Sequence, residues 1–117
     1  MPIKRKVKRK ASAILEAVPR DRAFYFFTET DAYTGIYASS LEEFCRVIKT
    51  IDLESIEFHV SRGDFENWVR DVLEDSQLAS RIGEIRKRGL SGEDLRGSLY
   101  RTVRARFNQL SSIVGKL

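Results

Sequence analysis

The chain has 117 residues, 42% hydrophobic and 32% charged, and its 21 basic and 17 acidic side chains leave a net charge of +4. That length suits one domain with a modest core; split in two, each half would be too small to bury enough surface. One cysteine and one histidine, Cys45 and His59, argue against a disulfide framework and a Cys/His zinc site, and no apolar run nears the roughly 18–20 residues of a bilayer span.

Six of the first ten residues are basic (Lys4, Arg5, Lys6, Lys8, Arg9 and Lys10) and none is acidic. With only Ile3 and Val7 to offer a core, residues 1–10 read as a flexible basic arm ahead of a single globular domain over 11–117. The arm feeds a short helix through Ala11–Val18, where Ile14, Leu15 and Val18 share a face and Pro19 forces an end. Charge is divided along the rest of the chain. Residues 11–80 hold 14 acidic and 6 basic side chains, a balance of −8, and residues 81–117 hold 3 and 9, a balance of +6. Such separation points to electrostatic partners more than to catalysis.

Ala23–Thr28 and Thr34–Ala38 are aromatic and β-branched enough for two strands, joined by Glu29–Tyr33 in a hairpin that other elements must cover. Ser40-Leu41-Glu42-Glu43 is a capping box, opening a helix with Leu41, Phe44, Cys45 and Ile48 on one stripe. Leu53–Val60 fits a strand through Ile56, Phe58 and Val60, and a helix through Leu53, Ile56 and Val60; Asp52 as a cap favours the helix. Asp64 reads as the cap of a helix over Phe65–Leu73. Asp75 or Ser76 starts another that ends at Gly89, and Ser91-Gly92-Glu93-Asp94 opens the last. The expected fold is therefore α+β, an aromatic-rich hairpin packed against four or five short helices.

One series of motifs runs Thr34-Gly35 with Ala38, Ser40-Leu41-Glu42-Glu43-Phe44, Glu54-Ser55-Ile56 with His59, Gly63-Asp64-Phe65 with Trp68, then Leu78-Ala79. In that order and spacing it resembles a family of small prokaryotic and archaeal domains with no assigned function. The resemblance covers about residues 23–85 and implies a stable domain type without an agreed activity, so no catalytic role carries over.

His59, Arg62, Asp64 and Trp68 form the one candidate site cluster. A carboxylate five residues from a histidine can fix its tautomer and begin an acid–base pair. The competing account is structural: Asp64 caps, Trp68 packs, Arg62 pairs with an acid, and His59 bonds the backbone. Cys45, between Phe44 and Ile48, reads as inert packing. The acids at 64, 66, 71, 74 and 75 lack EF-hand spacing, Gly89–Gly92 is no phosphate loop, and no cofactor is implied. Lys4–Lys10 suit non-specific contact with nucleic-acid phosphates but carry no aromatic to stack on bases. Arg81, Arg86, Lys87, Arg88, Arg96, Arg101 and Arg104 would extend the basic surface if they share an exposed side. Arg106 falls inside the apolar stripe of the last helix, where it would either snorkel to the surface or meet an acid from the −8 segment, its own or a second subunit's.

The expected function is accordingly a small, non-enzymatic binding or regulatory module in the cytoplasm, with nucleic acid as partner and no membrane contact. A protein-interaction or homo-oligomeric assembly domain is the alternative, and an enzyme built on His59 and Asp64 the second.

Overall fold

A computed structural model describes residues 2–115, with side chains from Arg5 onward. Hairpin strands β1 (Phe24–Phe27) and β2 (Tyr33–Ala38) sit among six α-helices: α1 (Pro2–Leu15), α2 (Leu41–Thr50), α3 (Leu53–Arg62), α4 (Asp64–Asp71), α5 (Ser76–Lys87) and α6 (Gly92–Gly115). A 3₁₀ turn at Arg20–Arg22 leads into β1. The α+β arrangement is as expected from sequence. Six helices form among the described residues, rather than four or five, and α6 at 24 residues is not short.

The basic segment is the main correction. Residues 2–10 are helical, not a flexible arm, and run into the predicted 11–18 helix, which ends early, at Leu15. Lysine and arginine lose little rotamer freedom in a helix, and proline is tolerated at the first helical position because its missing N–H has no partner there. Val7, Ala11 and Ile14 recur at helical spacing, and Ala11 and Ile14 are buried where α1 lies against α6. Once that end docks, each residue added toward the N-terminus gains a hydrogen bond without a new nucleus. The Lys4 side chain lies outside the described residues.

The hairpin alternates as a half-buried sheet should. Phe24 and Phe26 face the core, and Tyr25 and Phe27 face away. Inside, Phe24 meets Phe65 at 5.0 Å between ring centroids, and Phe44 meets Phe65 at 5.1 Å and Trp68 at 5.4 Å. Tilted and edge-on pairs of this kind add to the plain burial of apolar area. The pairing is irregular in one place. Between the pairs Tyr25↔Tyr37 and Phe27↔Tyr33, Phe26 alone opposes Thr34, Gly35 and Ile36. Gly35 takes φ of 85°, and Thr34 Oγ1 donates to the Phe26 carbonyl at 2.7 Å while accepting the Ile36 N–H at 3.2 Å.

Helix starts follow the sequence signals closely. Ser40 accepts the Glu43 N–H at 3.2 Å, and Glu43 reaches back to the Ser39 N–H at 2.7 Å. The ambiguous 53–60 stretch is helical, with Asp52 accepting the Glu54 N–H at 3.4 Å. Asp64 is not a cap. Gly63, at φ of 75°, ends α3 and precedes α4, so Asp64 becomes the first residue of α4 and its carboxylate is free for other partners. Asp75 caps α5 through the Leu78 N–H at 3.2 Å. The same carboxylate accepts two bonds from Arg106, from Nε at 2.8 Å and Nη2 at 3.1 Å, so the acid from the −8 segment is supplied by the same chain.

Candidate functional site

The Gly63 turn folds α4 back beside α3 and brings His59, Arg62, Asp64 and Trp68 to one end of β1. They line a cleft of about 370 Å³ whose remaining walls include Phe27, Phe58 and Asn67. His59 is only 4% exposed. Its Nδ1–H donates to Asp64 Oδ2 at 2.9 Å, and its Nε2 accepts the backbone N–H of Phe27 at 2.8 Å. The backbone donor fixes Nε2 as an acceptor, so the Nδ1–H tautomer follows. Burial holds the ring below its ordinary 6.5, with Asp64 partly opposing and Arg62 reinforcing the shift. The histidine is therefore neutral near pH 7.

Both ring nitrogens are committed. Taking a proton from a substrate would require breaking the Phe27 bond and charging a buried ring, which is the opposite of what a general base near neutral pH needs. Asp64 Oδ2 also accepts from Arg62 Nε at 3.0 Å, and the Arg62 guanidinium stands 4.8 Å from the centre of the Phe58 ring. Trp68 donates its indole N–H to the Arg22 carbonyl at 2.8 Å. The cluster predicted from sequence is thus assembled, with each polar group pinned to the backbone or to a neighbour. Its chemical capacity is that of an aromatic cleft with a guanidinium and an amide at the rim.

Cys45 is buried in α2, and burial pushes its thiol up, with Arg104 and Lys49 pulling the other way. Among the described residues, no three His, Cys, Asp or Glu side chains gather as metal ligands.

The cations divide into two sets. On α1, Arg5, Lys6, Arg9 and Lys10 are exposed and Lys8 is half-buried, and among the described residues none of the five makes an ion pair. The C-terminal set is mostly engaged. Arg86 holds Glu66 at 2.6 Å, Lys87 meets Glu84 at 3.8 Å, and Arg96 binds Glu93 at 3.0 Å and the Ile48 carbonyl at 2.8 Å. Arg104 donates to the Tyr100 hydroxyl at 2.9 Å, which leaves Arg81, Arg88 and Arg101 outside any ion pair or side-chain bond among the described residues.

One feature of the hairpin escaped the sequence reading. Tyr25, Phe27, Tyr33 and Tyr37 form a continuous ladder on its outer face, with centroids 5.3 to 5.7 Å apart, and Arg20 lies 5.1 Å from the Tyr37 ring centre. The alternation of Phe24 and Phe26 with Tyr25 and Phe27 was the signal for it.

A family model described as a family of unknown function (DUF5752) matches residues 3–104. The chain belongs to that family. DUF5752 takes in α1 and much of α6, both of which lie outside the 23–85 stretch marked by the sequence motifs, so the basic segment is part of the family domain and not an appendage to it. No curated protein and no solved structure matches the chain.

Proposed function

We propose that the protein is a non-enzymatic binding module that contacts nucleic-acid phosphates through the cationic face of α1. The observation that carries this reading is the state of Arg5, Lys6, Arg9 and Lys10: exposed, on a helix without an acid in its first turn, and in no ion pair among the described residues. Fold stability does not account for them. Cations near a helix N-terminus oppose its dipole at about 0.3–1 kcal/mol each, and like charges four residues apart, as in Arg5/Arg9 and Lys6/Lys10, add a few tenths more. A polyanion relieves both costs and gains counterion release. The commitment of both His59 nitrogens supports the non-enzymatic part of the reading.

Fluorescence anisotropy with random duplex and single-stranded oligonucleotides, repeated across a salt series, tests this. Replacing Arg5, Lys6, Arg9 and Lys10 together by Gln should flatten the plot of log K against log salt by about 3 to 4 units on duplex DNA, close to 0.9 for each phosphate no longer neutralised. Equal binding by both proteins, or by neither, refutes the proposal.

A second reading, a self-association or protein-interaction domain, draws on the hairpin, where Tyr25, Tyr33 and Ile36 are 36%, 45% and 41% exposed. Exposed apolar side chains on a small domain suit an interface. Light scattering at tens of micromolar would support it with a dimer mass that Ile36→Lys reduces to the monomer; a monomer for both proteins counts against self-association.

A further inference from the structure

A second depression of about 240 Å³ lies between α2 and α6, lined by none of α1's cations and by no residue of the His59 cleft. Cys45 is buried at its floor, with the half-buried rings of Tyr100 and Phe107 beside it. Arg46, Lys49 and Arg104 stand around it, against one acid, Glu42. Arg46 touches Glu42 only loosely, at 3.9 Å. Lys49 and Arg104 meet no carboxylate among the described residues. Tyr100 gathers both of them. Its hydroxyl accepts from Arg104 Nη1 at 2.9 Å, and its ring centre lies 5.8 Å from Lys49 Nζ. Arg104 bonds the hydroxyl and Lys49 faces the ring, and with no acid between them the two like charges repel each other.

We infer that this depression binds a small phosphate-bearing anion, either inorganic phosphate or a phosphate monoester, with Lys49 and Arg104 as its ligating cations. The lining side chains carry a formal charge of +2, which a dianion neutralises and a single carboxylate does not. The size admits a phosphoryl group with a small organic substituent, and the Tyr100 and Phe107 rings give that substituent apolar surface. Arg104 supplies a planar fork suited to two phosphoryl oxygens, and Lys49 a point charge on a third.

Isothermal titration calorimetry with inorganic phosphate and with phenyl phosphate, at an ionic strength held constant with chloride, tests the assignment on the full chain. Saturable one-to-one binding is expected, and Lys49→Gln and Arg104→Gln should each weaken it about tenfold. Both side chains are exposed, so unchanged melting temperatures will show that the variants fold. The quadruple Gln variant of α1 should bind phosphate like the parent, which separates this site from the nucleic-acid reading. Tighter binding of phenyl phosphate assigns the monoester; tighter binding of the inorganic ion assigns free phosphate. Absence of saturable heat with either probe, affinity unchanged in both single variants, or binding abolished in the α1 variant would overturn the inference.

Discussion

Asp75 and Arg106 offer the sharpest test of how this fold holds together. Asp75 is 2% exposed and Arg106 8%, and their two parallel hydrogen bonds tie the start of α5 to the middle of α6. Arg106 spends a further donor on Gln109 Oε1 at 2.9 Å. Asp75→Asn preserves a capping oxygen for the Leu78 N–H but strands the buried guanidinium. Breaking a buried pair from one side costs about 3–5 kcal/mol, a large share of the roughly 5–15 kcal/mol expected for a whole domain. Arg106→Met should cost a similar amount by leaving the carboxylate unpaired. The double variant Asp75→Asn/Arg106→Met removes both charges and fills the space with an apolar chain, so its loss should fall short of the summed single losses by about 2 kcal/mol or more. Urea unfolding followed by circular dichroism measures all four proteins, with equal m-values confirming comparable unfolding. Single losses below about 1 kcal/mol, or strict additivity, would show that the pair is solvated and that its apparent burial carries no energetic weight.

Two further outcomes follow from the cleft. Because His59 is held below its ordinary 6.5, the unfolded chain takes the proton first, so its contribution is complete above pH 6.5 and is lost as pH falls from there through the lower folded value. Stability of the parent should decline over that interval relative to His59→Gln; parallel pH profiles would remove the basis for a neutral, backbone-bonded ring. Trp68→Phe deletes the donor to the Arg22 carbonyl while keeping most of the ring burial, and should cost about 1–2 kcal/mol by chemical denaturation. A neutral result would mean water replaces the indole N–H.

Local chemistry carried most of what was legible in the chain. The Ser40 box, the Asp52 and Asp75 caps and the hairpin strands are decided by interactions within a few residues, so they can be read before any tertiary structure exists. His59, Arg62, Asp64 and Trp68 were also visible as a cluster, because a single turn at Gly63 brings them together. What could not be read was the division of labour among partners. Asp64 has the sequence position of a cap, yet the left-handed Gly63 shifts α4 by one residue and frees the carboxylate for His59 and Arg62. Residues 2–10 looked coil-like by composition, but their helix follows from docking of Ala11 and Ile14 on α6, far along the sequence. The acidic partner of Arg106 was foreseen only as to segment. The Lys49–Arg104 depression joins two helices far apart in sequence, and no spacing announces it.

The bond from Phe27 to His59 has a consequence for the protein's behaviour at high concentration. The Thr28 N–H turns toward Ala32, so the Phe27 N–H turns outward, to the side where an additional strand would attach. An imidazole occupies that donor from inside the core. A misfolded or neighbouring chain cannot extend the sheet past this point without expelling a buried ring, which makes the end of β1 a poor template for amyloid growth.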